Sequence, residues 1–242
     1  MKYKLKINLL QTAFMAAYWI IYNFKIIPYG EKISDYTVLS QSLMSTKGGY
    51  NSSLWTVGLV MTIIFSIAHN YSFSASSMAI VKYGREKYIL NDIKQTIINA
   101  ILFTLEYCGI NAIFTAMICD WELLRNSKYF LLTLLYFITR FSYFLVLGSL
   151  LLLMYYIFKF KRVYMIIAVL IMLAINSLPY LMIEKGFIMF ADYVNDWMLE
   201  STFDLFEYSK NTLICIISSA ILITGTRLVF LKKDILIYEE ES

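Results

Sequence analysis

Between Lys128 and Lys159, thirty consecutive residues (Tyr129–Phe158) carry a single charge, that of Arg140. A helix needs roughly 20 apolar residues to cross a bilayer, so this run alone leaves few folds open. Similar stretches occupy Ile7–Phe24, Leu54–Tyr71, Thr96–Ile118, Val163–Ile183 and Thr212–Leu231, which makes six predicted spans in 242 residues. Composition agrees: 60% of the chain is hydrophobic and 16% charged, whereas soluble domains are about half apolar and about a quarter charged. Three Cys make no disulfide framework, and 17% aromatics with 2 Pro exclude a disordered chain. Long apolar runs also exclude the short alternating strands of a transmembrane β-barrel. The expected fold class is all-α and polytopic, a single transmembrane domain over residues 1–242 with six helices. The first span starts on basic residues, but Asn23, Phe24 and Lys25 offer no small-residue cleavage site. It is expected to remain as a helix, not to be removed as a signal peptide.

Lys and Arg in the flanks choose the orientation. One set holds thirteen: Lys2, Lys4, Lys6, Lys82, Arg85, Lys87, Lys94, Lys159, Lys161, Arg162, Arg227, Lys232 and Lys233. The opposite set holds seven. The thirteen-charge side is expected in the cytosol, with both termini there. Trp19, Trp55, Trp121 and Trp197 all fall toward the opposite interface, as an aromatic belt would. The net charge of +4 is thus a matter of topology and points to no nucleic acid.

The usual catalytic patterns are missing. There is no G-x-x-x-x-G-K-[ST] phosphate loop, no G-x-S-x-G elbow and no H-E-x-x-H, and His69 is the only His. The chain is therefore not expected to be an enzyme. Cys108, Cys119 and Cys215 read as small apolar packing residues, and Ala13 with Ala17 and Ala220 with Thr224 have the spacing of close helix contacts. Glu106 and Arg140 are the two ionisable residues deep inside spans, where charge is expensive and is normally paired. Each lies eleven or twelve residues from the outer end of its helix, about 16–18 Å at 1.5 Å per residue. Matching depth on adjacent antiparallel spans predicts an ion pair. That pair either fixes helix register or forms a polar point on a transport path.

Two connecting segments add information. The inner loop Ser72–Gln95 contains a small-residue stretch, then Lys82-Tyr83-Gly84-Arg85-Glu86-Lys87, with Gly84 marking a helix break. It predicts a short helix, about 74–85, lying across the inner face. This is either an ordinary positive-inside loop or a docking element for a cytosolic partner. In the outer segment 186–208, Asp192, Asp196, Glu200, Asp204 and Glu207 recur every three or four residues and line one face of an amphipathic helix. That acidic face is either simply solvated or attracts a cationic substrate.

The layout resembles the permease subunit of an ABC-2-type ABC transporter (type V exporter-like), in the small bacterial forms linked to bacteriocin or antimicrobial-peptide export and immunity. The run Ile80-Val81-Lys82-Tyr83-Gly84-Arg85-Glu86-Lys87-Tyr88-Ile89 is similar to the family's basic segment after span two, and Phe230-Leu231-Lys232-Lys233-Asp234 to its basic ending. The resemblance implies a multi-pass subunit of the bacterial cytoplasmic membrane, paired with a second permease copy or homologue. It implies no cofactor in this chain, because ATP and Mg would belong to a separate cytosolic ATPase. Lys82, Tyr83, Gly84, Arg85 and Lys87 would couple the two. The cargo would be an amphipathic peptide or lipid-like compound, with a cationic peptide suited to the acidic outer face. The alternative is a secondary transporter or channel working through a Glu106–Arg140 pair.

Overall fold

The computed structural model describes residues 2–27, 31–45, 49–71, 84–158, 163–181 and 205–232; the side chains of 2–8, 54, 176–181 and 207 lie outside that description. Within these residues the chain is helical and forms no strand beyond an isolated bridge between Ile33 and Cys119. The helices are α1 (Lys2–Asn23), α2 (the single turn Tyr36–Val38), α3 (Thr62–Asn70), α4 (Arg85–Ile118), α5 (Trp121–Asn126), α6 (Tyr129–Ile157), α7 (Val163–Leu181) and α8 (Leu205–Lys232). Two wide π-type segments, Leu39–Leu43 and Ser53–Met61, continue α2 and lead into α3.

Among the described residues, three helices are long and apolar enough to cross a membrane: Arg85–Ile118, Tyr129–Ile157 and Tyr208–Lys232. Trp55–Asn70 and Val163–Ile175 are apolar but shorter. Each predicted span coincides with helix, yet two boundaries move. The helix of span three starts at Arg85, eleven residues before Thr96, and its 34 residues extend roughly 51 Å. That exceeds the roughly 30 Å thickness of a hydrocarbon layer. The last helix likewise begins at Leu205 and runs unbroken past Thr212, where a separate outer helix had been expected to end near 208.

Helix α6 is the centre of the bundle. It packs against α4, α7 and α8, and residues all round it are buried, including Tyr136, Arg140, Phe144, Leu147 and Leu151. Phe65 of α3, Phe103 of α4 and Phe144 of α6 meet in tilted and edge-to-face contacts at 4.6–5.2 Å, the geometry that aromatic quadrupoles favour. The close approach there requires Gly148. A Cβ on it would sit 3.0 Å from Thr96 Cγ2 and 3.1 Å from His69 Nε2. His69 is accordingly buried, not the interfacial residue its place near a span end suggests.

The buried face of α1 is Gln11, Met15, Trp19 and Asn23, one side chain per turn. Ala13 and Ala17 point outward, as do Ala220 and Thr224 on α8, so neither small-residue pair makes the helix contact its spacing suggests. Trp19 also leaves the expected belt. It is 2% exposed and donates Nε1–H to Asn111 Oδ1 at 2.9 Å, whereas Trp55 and Trp121 are 62% and 64% exposed. A buried acceptor on α4 draws the indole inward, since a buried indole N–H needs a partner. Trp197 lies outside the described residues.

Candidate functional site

The connection between α1 and α3 is the feature that sequence reading missed. It was expected to be an external loop up to Ser53. Instead Leu39, Leu43, Met44, Tyr50, Asn51, Ser52 and Ser53 are all buried, inserted among α1, α4 and α6. Irregular backbone at that depth is tolerated only where protein groups satisfy its N–H and C=O, and specific side chains do so here. Tyr136 Oη–H donates to the Met44 carbonyl at 2.8 Å, and Asn51 Nδ2–H to that of Leu43 at 2.7 Å. Tyr107 Oη–H donates to the Tyr50 carbonyl at 2.7 Å, and Tyr50 Oη–H returns a bond to the Tyr107 carbonyl at 3.3 Å, with the two rings stacked at 4.8 Å. Thr56 donates to the Gly49 carbonyl at 2.8 Å. The wide turn that follows is held the same way. Thr62 Oγ1–H donates to the Val57 carbonyl at 2.9 Å and shares a 2.6 Å bond with the Tyr143 hydroxyl.

Arg140 is the charged member of this set. It is 1% exposed, and its Nη2 donates to the Asn51 carbonyl at 3.0 Å and reaches Ser53 Oγ at 3.5 Å. The guanidinium carbon stands 6.0 Å from the centre of the Tyr136 ring, the range of a cation–π contact. Glu106 is half-buried and accepts Gln11 Nε2–H from α1 at 2.6 Å. The expected Glu106–Arg140 ion pair therefore does not form. The reason is rotational: Thr104, Tyr107, Cys108 and Asn111 are the buried positions on this stretch of α4, and Glu106 sits about 100° round the helix from Tyr107. Equal depth was read correctly, but depth does not decide facing.

Beyond Arg140, on the opposite flank of α6, lies a cavity of about 420 Å³ between α6, α7 and α8. Thr139, Arg140, Tyr143, Cys215 and Ser218 give it a polar side, and the remainder of its wall is aliphatic. The volume is within the range of small-molecule sites, about 300–1,000 Å³. Cys108, Cys119 and Cys215 are buried free thiols.

The other residues singled out from the sequence are placed as follows. Gly84 immediately precedes α4 with φ +78°, a conformation glycine adopts without steric cost. Arg85 and Lys87 lie in the first turn of α4, so Arg85 opens the span-three helix and does not close a separate one; Lys82 and Tyr83 lie outside the described residues. Glu86 bonds Arg227 of α8 at 2.9 Å, with both side chains at least half exposed, which makes the pair weakly stabilising. Asp92, two turns into α4, is buried and accepts the Tyr156 hydroxyl of α6. Asp192, Asp196, Glu200 and Asp204 lie outside the described residues; Glu207 falls in the first turn of α8. Comparison with models of protein families, with characterised proteins and with solved structures returns no match for this chain.

Proposed function

We propose that the chain is the permease subunit of an ABC-2-type ABC transporter, crossing the membrane six times and forming, with a second permease copy, the pathway for an amphipathic peptide or lipid-like compound. A separate cytosolic ATPase drives export of that compound or its clearance from the membrane. The observation that carries the reading is the continuity of α4. One 34-residue helix runs from the basic segment at Gly84 to Ile118. A displacement applied at Arg85 and Lys87 travels along a rod of roughly 51 Å to Tyr107 and Asn111, which contact the buried α1–α3 segment and Trp19. The cavity beside Arg140 further supports an amphipathic cargo. A carrier built on a Glu106–Arg140 pair has lost its central element, since the two groups engage different partners.

The test is co-purification with candidate cytosolic ATPases. Changing Tyr83, Arg85 and Lys87 to Ala together is expected to abolish the complex and the stimulated ATPase activity while leaving the chain folded, because Lys87 is exposed and Arg85 partly exposed in the first turn of α4. A retained complex with unchanged stimulated hydrolysis would remove the coupling assignment.

A further inference from the structure

The cavity between α6, α7 and α8 is graded along its length. On α6 its wall runs from Thr139 and Arg140 to Leu150, ten residues beyond Arg140 and so about 15 Å of helix. Along α6 the polar positions Thr139, Arg140 and Tyr143 come first and the aliphatic Val146 and Leu150 follow; α8 adds Cys215 and Ser218 among isoleucines, and the α7 wall is apolar. On α6 the wall thus passes from cationic and hydrogen-bonding to aliphatic. The cation is incompletely served. Both of its hydrogen bonds leave from Nη2, Nε is buried without a hydrogen-bond partner, and no carboxylate among the described residues forms an ion pair with it. A charge held in that state in an apolar setting is normally matched by a counter-ion or marks a ligand pathway. The carbonyl of Asn51 and the Tyr136 ring supply only partial negative charge.

We propose that this cavity binds an amphiphile made of an apolar chain ending in a carboxylate, with the carboxylate against the Arg140 guanidinium and the chain lying along α6 toward Leu150. Two sources have that chemistry: a free fatty acid of the bilayer, or the C-terminal stretch of an apolar peptide. The inference goes beyond the transporter assignment and is read without any ATPase, so either can fail while the other stands.

The experiment uses the purified full chain in lipid nanodiscs and a photoactivatable palmitic acid, with labelled positions found by mass spectrometry. Labelling is expected on Ile214–Leu222 and Ile171–Ile175. Palmitic acid should compete for it about tenfold or more better than palmityl alcohol, the difference expected for a hydrogen bond to a charged group. An apolar peptide with a free C-terminus, compared with its amide, separates the two sources: competition by the peptide acid at lower concentration than palmitic acid, and not by the amide, assigns the peptide, and no competition by the peptide acid assigns the lipid. Arg140→Gln should abolish the preference for acid over alcohol. Ser218→Trp leaves the Arg140 contacts to Asn51 and Ser53 in place, fills the cavity and should abolish labelling at both helices, which keeps the test sound if Arg140→Gln folds poorly. Equal competition by acid and alcohol, or labelling that persists in Ser218→Trp, would overturn the proposal.

Discussion

The two flanks of α6 are built on opposite plans. On one flank, the segment leading into α3 is stitched to α4 and α6 by Tyr107, Tyr136 and Arg140, each donating to a backbone carbonyl, and to itself by Asn51. On the other, α6, α7 and α8 leave about 420 Å³ open. Arg140 belongs to both. The stitched side must be dense, because irregular backbone away from water has to find its partners within the protein. The hollow side needs no such bonds, because α6, α7 and α8 satisfy their own backbones. An unfilled space can therefore persist there without stranding polar backbone, whereas on the stitched side it could not.

Substitutions on the two flanks should separate this contrast. The largest effect is expected from Trp19→Ala, which removes a buried indole and its bond to Asn111; a loss of about 3–5 kcal/mol is typical of such truncations and would appear as a large drop in the thermal midpoint of the purified protein. Gly148→Val follows at about 2–3 kcal/mol, because its side chain meets Thr96 and His69. A midpoint close to wild type would mean that α3, α4 and α6 are less tightly apposed than described. Tyr107→Phe keeps the ring stack but removes the donor to the Tyr50 carbonyl and the longer contact to Asn51 Oδ1, for which about 1–2 kcal/mol is expected. On the hollow flank, Ser218→Leu should change stability by less than about 1 kcal/mol, since the added volume enters existing space and does not overpack a filled core. A penalty equal to that of Tyr107→Phe would erase the distinction between the flanks.

Much of the architecture was legible in advance because it is local. Apolar runs of bilayer length mark helices regardless of what they touch, and Gly84 was read as a helix break, the position where the structure has a positive φ immediately before α4. The site was legible only in part. Arg140 stood out as the lone charge in thirty residues, but its partner was misassigned. The buried residues of 39–45 and 49–53 were taken for part of an outer loop, since serines, Asn51 and Gly49 are turn-forming residues. The available signal was the tyrosines: Tyr107 and Tyr136, within apolar spans, each carry a hydroxyl that had to find an acceptor.

The sequence by itself determined where the long apolar helices lie and that a single cation, Arg140, stands deep within one of them. The tertiary structure alone decided which way those helices face. A helix apolar on all sides has no preferred rotation that hydropathy can reveal, so the engagement of Arg140 with the Asn51 carbonyl, and not with Glu106, arises only when the neighbouring backbone is folded in beside it.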